Sequence, residues 1–508
     1  MQLLDKFQGA MVFSAIGDAL GWPSELGIYR RHISGFFDWK KKVGGRYFGF
    51  EETIRAGSYS DDTQLTLSIA RCIDENGNFD ADKFAYLELP LWRDYERGGG
   101  RSIKTAAESF EKTKRDWMKN FYKKGNLNYR NAGGNGAAMR VLPISLANMD
   151  GNNKLLCETF KNAIITHGHP RAILGAIVYS FLINFIIKQT SLQKEIILDY
   201  LKELINFSSK PLREYEWFNE WINKWDKNPP GGIKFKENFS NTREEAFNFL
   251  NEMVRMLDIQ DDRRYYQVTG ALSKATRGSG LSTVFVAIYL FLKYINDPQK
   301  ALNVSVNTIG SDTDTIANFV GGLFGAYYGL NIIPNGLLKQ LQDSEYILKL
   351  ARRLYSIAIG ETLKEPLSTI KTDRRDYFLL IDAWKIGLYQ MFWDALDEGA
   401  ILTHPILGKG KIIRKETKQL FRQDYVAKII EVSFDCGQTC VFHSRVKKEL
   451  SSILVGEFPR KETPEEKLQK LLSDGLIRGS KGKFDDFTPT KALGKPLSEI
   501  LREVRGNE

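Results

Sequence analysis

Residues 56–73 read AGSYSDDTQLTLSIARCI, and residues 307–329 read NTIGSDTDTIANFVGGLFGAYYG. Each stretch sets paired carboxylates, Asp61 with Asp62 and Asp312 with Asp314, just before a run with apolar residues at helical spacing. In the first run these are Leu65, Ile69, Cys72 and Ile73, and in the second Ile316, Val320, Leu323 and Tyr327. Carboxylates at a helix start cap it and suit its dipole, which accounts for one such pair. Two pairs, each set among hydroxyl side chains (Ser58, Ser60, Thr63; Ser311, Thr313, Thr315), ask for more. Carboxylate and hydroxyl oxygens are the hard ligand set that Mg²⁺ and Mn²⁺ prefer, and converging carboxylates repel unless a cation joins them. With Asp312 and Asp314 at i and i+2, the two helix mouths suit a two-metal centre with ions about 3.5–4 Å apart.

The 508 residues exceed one ordinary domain and allow a large core. A hydrophobic fraction of 43% and a charged fraction of 26% exclude collagen-like and disordered classes for the bulk of the chain. The N-terminal MQLLDKFQGAMVFSAIGDALG carries Asp5 and has no basic stretch before an apolar core, so it does not read as a signal peptide. The apolar charge-free run Ala172 to Ile187 falls short of the ~20 residues of a membrane span and reads as a buried helix. Four cysteines give no disulfide framework, and a cytoplasmic protein without a membrane partner is expected. The net charge of +10 is uneven: Ile401 to Glu508 holds 21 basic and 15 acidic residues, so a surplus of 6 lies in the last fifth of the chain.

Helical periodicity dominates residues 1 to 360, which reads as one large all-α domain. Within it, residues 210–262, with EWFNEWINKW and NPPGG, read as an irregular insertion whose tryptophans pack it down and which forms part of a cleft wall. Residues 361–400 read as a helical linker. From Ile401 the texture turns to β-branched strands broken by glycine, the pattern of a small barrel over 401–460, and residues 461–508 read as a basic, partly disordered tail.

Three further motifs stand out. GDALGWPSELG (17–27) places Asp18 and Glu25 after an amphipathic first helix. NAGGNGAAMRVLPISL (131–146) sets Gly133, Gly134 and Gly136 before a helix-like run, where backbone N–H groups can receive phosphate. THGHPRAILGA (166–176) brings His167 and His169, with no cysteine nearby for zinc, before the apolar run, as substrate donors or helix caps.

In order, GDALGWPSE, YSDDTQ, GGNGAAMRVLPI, THGHP and IGSDTDTIA resemble the successive motifs of the ADP-ribosylglycohydrolase family over about residues 7 to 330. The resemblance implies an all-helical domain that cleaves the glycosidic bond between ADP-ribose and an acceptor, with two divalent cations, Mg²⁺ or Mn²⁺. It makes Ser60, Asp61 and Asp62 the first group of metal ligands and Asp312, Asp314 and Thr315 the second. Glu25 matches the family's mobile glutamate, and Glu25 or Asp62 would serve as general base or acid. The loop Gly133, Gly134, Asn135, Gly136 would hold the diphosphate, with His167 close by. Ser60 stands where threonine is common, and Ser311 replaces the second glycine of the usual Gly-Gly-Asp.

THPILGKGKI followed by VSFDCGQTCVF is similar to the SH3-like or Tudor-like module that ends some DNA helicases, with Leu407 in place of the usual phenylalanine. It implies docking to protein or nucleic acid. Because every candidate ligand and the glycine loop lie before residue 330, where the family resemblance ends, the chemistry should not need residues 401–508. Cys436, Cys440 and His443 lack a fourth zinc ligand and read as strand-turn-strand. The expected substrate is an ADP-ribosylated protein, nucleic acid or small molecule. The alternatives are a non-catalytic ADP-ribose or nucleotide sensor using the same pocket, and a nucleic-acid-targeted scaffold.

Overall fold

A computed structural model of the chain describes residues 2–25, 31–44, 49–113, 115–207, 210–363, 374–390 and 396–447. Its principal helices are α1 (Leu3–Glu25), α2 (Asp61–Arg71), α3 (Asn152–Thr166), α4 (Pro170–Ile187), α5 (Phe235–Met256), α6 (Gly280–Lys293), α7 (Thr313–Tyr328) and α8 (Ser344–Ala358). A hairpin, β1 (Trp39–Val43) with β2 (Phe50–Ile54), lies between α1 and α2. The expectation of a mainly helical protein is met.

The helix α1 is buried on nearly every side from Lys6 to Ser24, so it forms the axis of the fold rather than an outer face. It runs antiparallel to α7, and glycines on both let the backbones touch. A Cβ on Gly17 would stand 2.1 Å from the Ala317 carbonyl oxygen, and one on Gly321 would stand 2.1 Å from that of Phe13. Only glycine permits this approach, and its cost in helix propensity is offset by the packing it allows. The pairing sets the C-terminal end of α1 against the N-terminus of α7, since Gly21 meets Thr313 and Asp314. The helices α4 and α6 cover α7, and α8 backs α1. By length and composition α4 passes for a membrane span, yet it is buried inside this helical unit, as a core helix is.

Two expectations change. The segment 210–262 is largely helical, with Glu216–Trp225 and α5, because its aromatic residues recur at helical spacing. Its tryptophans do pack it down: Trp221 Nε1 donates to Tyr129 Oη (2.7 Å) and Trp225 Nε1 to the Gly168 carbonyl (2.9 Å). The expected barrel appears as a four-stranded antiparallel meander, β3 (Ile401–His404), β4 (Gly408–Gln419), β5 (Tyr425–Phe434) and β6 (Thr439–Lys447). Among the described residues no ladder joins β3 to β6, so a closed SH3-like barrel is not seen. The hairpin holding Cys436 and Cys440 is strand-turn-strand. Of the expected linker, Arg374–Gln390 is helical, and residues 364–373, 391–395 and the tail 461–508 lie outside the described residues.

Residues 1–448 form one compact unit, so the sheet is fastened to the helices. At the C-terminal end of α2, Arg71 is buried in an ion pair with Glu88 (2.8 Å) and donates through Nη1 to Gln438 Oε1 in the β5–β6 turn (2.7 Å). Thr439 N–H donates to Asp343 (3.0 Å), and the rings of Tyr95, Trp384 and Phe442 enclose His404. This contradicts the independence expected of the C-terminal region. A chain ending at Gly399 strips Arg71 of its Gln438 partner, a cost of about 1–3 kcal/mol for that charge-assisted bond, besides uncovering the aromatic cluster. Such a chain should be insoluble, or should unfold at clearly lower urea and lose activity on small substrates too. Separately, Gly321→Val should lower stability by about 3 kcal/mol or more, at the upper end of overpacking costs, because the obstacle is backbone; a urea midpoint within error of the parent would refute the crossing geometry.

Candidate functional site

Two helix N-termini and one C-terminus meet at the acidic motifs. At α2, Ser60 is the N-cap, its Oγ accepting from the Asp62 N–H (3.2 Å). Asp18 reaches across from α1 to the same turn. Its carboxylate accepts from the N–H groups of Ser60 (3.1 Å) and Thr63 (3.0 Å) and from the Thr63 hydroxyl (2.6 Å). These bonds hold the α2 mouth in place, so that Asp61 and Asp62 face inward. At α7, Asp312 is the N-cap residue, Asp314 lies in the first turn, and the Thr313 hydroxyl donates to the Gly21 carbonyl (2.8 Å), tying this mouth to α1.

Glu25, at the end of α1, joins them: one oxygen each from Glu25, Asp312 and Asp314 lie within 4.8 Å of one another. Asp62 is buried, with Oδ2 lacking any hydrogen-bond partner, and the Thr315 hydroxyl is its neighbour. Burial, then Asp18, Asp61 and Asp312, drive the Asp62 carboxyl well above the usual range, and burial with Glu25 and Asp312 does the same to Asp314. For Asp61 the causes are burial, Glu96 and Glu25. Burial and Asp312 push Glu25 up to about 7 against the opposing charges of Lys41 and Arg277. Carboxylates so placed are unfavourable together as bare anions and favourable around cations. Glu25, Asp312 and Asp314 are thus brought together, with Asp62 beside Asp312 and Thr315, and the arrangement fits a divalent cation: an orphaned buried carboxylate oxygen, oxygen donors only, and two positive helix ends.

The glycine loop adjoins this centre. Asn135 Nδ2 donates to Asp312 Oδ2 (3.0 Å), while Asn135 N–H donates to the Gly278 carbonyl (2.9 Å) and Gly280 N–H to that of Gly133 (3.0 Å). His167 lies under the loop, its Nε2 3.6 Å from where a Cβ on Gly134 would be, and its Nδ1 pairs with the Thr166 hydroxyl (2.7 Å). Burial and Arg140 push it down to about 3, so it is neutral at physiological pH. His169 caps α4 and touches Gly133. It opens onto a hollow of about 580 Å³ walled by Arg171 and by Asn241, Glu245 and Phe249 of α5, so the insertion does supply a wall.

Sequence reading did not assign the Asp18 clamp, the Gly278–Gly280 segment that pairs with the loop, or Arg140. The last is buried, donates to the Gly136 carbonyl (2.8 Å), and is otherwise held by Asn162 and Thr166. Asp18 and Arg140 lie inside quoted motifs, and a charged residue among apolar neighbours was the available signal.

The sequence model of the ADP-ribosylglycohydrolase family matches residues 1–362. "ADP-ribosylhydrolase ARH3" of Danio rerio is 24% identical over 383 residues, covering 70% of this chain and 92% of its own length. "ADP-ribosylarginine hydrolase Tri1" of Serratia proteamaculans (strain 568) is 24% identical over 368 residues, covering 70% and 81%. Among solved structures, a chain titled "ADP-ribosylglycohydrolase-related protein complex" aligns at a TM-score of 0.44 and 22% identity, over 70% of this chain and 99% of that one. The family match takes in α1, α2, the glycine loop and α7, every element that builds the acidic centre, and the chain belongs to the ADP-ribosylglycohydrolase family as an enzyme of that class.

Proposed function

We propose that the protein is a metal-dependent ADP-ribosyl hydrolase that releases ADP-ribose from an acceptor. The observation that carries this reading is the convergence of Glu25, Asp312 and Asp314 within 4.8 Å beside the partnerless Asp62 oxygen. Two Mg²⁺ or Mn²⁺ ions would be held by Ser60, Asp61, Asp62, Asp312, Asp314 and Thr315. When bound they supply charge for orienting ribose hydroxyls and for acidifying a water. The chain's own residues do the rest. Asn135 ties the diphosphate loop to Asp312, and so fixes the distance between the two halves of the substrate. His167 and Arg140 support that loop from below, the histidine as a neutral hydrogen-bonding group. Of the two candidate proton carriers we favour Glu25: it is partly exposed at the mouth, whereas Asp62 is buried with its oxygen turned inward. A macromolecular acceptor would dock on the solvent face of β4, where Lys409, Lys411 and Ile413 point outward.

Charge in the acidic centre gives two tests. Metal-free protein should lose stability as pH rises from about 4.5 to 7, because Glu25 titrates at its ordinary value when unfolded and near 7 when folded, and unfolding then releases its proton. Asp61, Asp62 and Asp314, also raised, act in the same sense. Saturating Mg²⁺ should abolish the slope, as read by thermal melting with chelator and with Mg²⁺ across that range. Asp62→Asn should raise the metal-free melting temperature by removing one repelling charge. It should also lose the Mg²⁺-induced rise and cut turnover by more than the roughly 10–100-fold typical of an outer-sphere partner. A variant that still gains stability from Mg²⁺ as the parent does would sink the ligand assignment. Gly134→Asp should weaken ADP-ribose binding in calorimetry by about 10-fold or more through charge, since its Cβ meets nothing nearer than 3.5 Å and the fold can accept it.

A further inference from the structure

The N–H groups of Ser60, Asp61, Asp62 and Thr63 precede the first helical bond of α2, so each needs a partner from outside the helix ladder. Asp18 accepts those of Ser60 (3.1 Å) and Thr63 (3.0 Å), and Ser60 Oγ accepts that of Asp62 (3.2 Å). The remaining one, on Asp61 itself, donates to the Arg97 carbonyl (2.8 Å), in the loop that leads into the helix Arg101–Thr113. The same loop carries Glu96, whose charge faces Asp61. Its placement therefore bears on Asp61 twice, through a backbone bond and through a like charge. Gln64 of α2 holds the base of the loop: Oε1 accepts from Trp92 Nε1 (3.0 Å) and from the Arg97 N–H (3.1 Å), and Nε2 donates to the Tyr95 carbonyl (3.0 Å).

The Arg97 side chain leaves in another direction. Its Nη2 donates to Glu52 Oε1 of β2 (2.6 Å), while its Nε has no partner among the described residues. Both side chains are buried, Arg97 at 9% and Glu52 at 2% exposure. Burial raises the Glu52 carboxyl, but Arg97 and then His443 outweigh it and hold it down to about 2, so the pair is ionised. The other Glu52 oxygen, Oε2, lies 3.5 Å from Nε2 of His443 on β6, whose ring meets that of Phe50 edge-on at 5.5 Å. A buried ion pair returns little beyond its desolvation cost, so stability alone is a weak reason for one, and a fixed direction is a better one. Here the direction runs from the C-terminal sheet through the β1–β2 hairpin to the backbone of Asp61.

We propose that Arg97 is a positioning residue of the metal centre, and that Glu52 and His443 make the C-terminal sheet part of the support that sets affinity for the divalent cation. The inference rests on the metal-dependent reading and adds to it residues that touch neither cation nor substrate. With the ion pair intact, the Arg97 carbonyl fixes the first turn of α2, and Asp61 presents its carboxylate from a backbone that cannot tilt. With the pair broken, the loop keeps its hold on Gln64 but turns about it, and carries both the carbonyl and Glu96 away from their places. Orientation of a ligand from outside acts on cation affinity first, because the ligand is still present and only its aim is lost.

Mg²⁺ would be titrated by calorimetry into the chelator-stripped full-length chain, with the urea midpoint measured beside it. Arg97→Met should raise the Kd for Mg²⁺ by about 10–100-fold, the range for partners that orient a ligand from outside. Glu52→Gln should act in the same sense, and the double variant should bind little worse than Arg97→Met, because both changes break one bond. Arg97→Lys should restore most of the affinity, since Glu52 accepts a single bond here and an ammonium can supply it. His443→Phe, which keeps an aromatic ring against Phe50, should give a smaller rise. If Arg97→Met does not fold, Glu52→Gln and Arg97→Lys decide. A parent that binds no Mg²⁺ would sink the metal-dependent reading and this one with it. Variants that lower the urea midpoint but leave the Kd for Mg²⁺ unchanged would sink the positioning role alone, and so would equal losses of affinity in Arg97→Met and Arg97→Lys.

Discussion

The whole arrangement depends on one contact, the backbone-to-backbone crossing of α1 and α7. With Gly17, Gly21, Gly321 and Gly325 at the interface, neither helix can slide or rotate without driving a carbonyl oxygen into a neighbour. That rigidity carries the acidic residues at the ends of the two helices to fixed places: Glu25 at the finish of one and Asp312 with Asp314 at the start of the other. The repulsion among those carboxylates acts to open the crossing, and close-packed glycine contacts over several turns resist it. Stability made along the length of the pair is what allows an unfavourable charge density at its end.

The second helix mouth is brought in by a different device. Asp18 donates nothing and accepts from Ser60 and Thr63, acting as an N-cap supplied by another helix. Because Asp18 is one turn before Gly21 on α1, the same rigid axis positions all three acidic groups. At its other end α2 is held by Arg71 between Glu88 and Gln438, so the helix that bears Asp61 and Asp62 is anchored at one end by the helical unit and at the other by the sheet.

Much of this was legible in the sequence. The doubled carboxylates ahead of periodic apolar runs gave both helix starts and the two candidate ligand groups, since capping and periodicity are local properties. The convergence of the groups was not local. It follows from the α1–α7 crossing, whose glycines lie about 300 positions apart in the chain and in sequence look only like weak points in a helix. The fastening of the sheet was hidden for the same reason: Arg71 and Gln438 are unremarkable until the fold buries them together. Strand texture after Ile401 was readable from β-branched residues, but closure of a barrel depends on pairing between ends, which alternation along each strand does not encode. In the insertion, glycine and proline at NPPGG outweighed a helical spacing of aromatic residues that the structure obeys.

Arg140 has a consequence for how the protein meets anions. Its guanidinium is buried, remains a cation although burial pushes it down to about 9, and is held only by neutral oxygens of Gly136, Asn162 and Thr166. Among the described residues no carboxylate bonds to it, and being enclosed it is poorly screened by dissolved salt. The glycine loop therefore has a buried positive charge at its back and the carboxylate of Asp312 at its front. An anion entering the loop is drawn by a charge behind the backbone as well as by the N–H groups themselves, an attraction that dissolved salt weakens little.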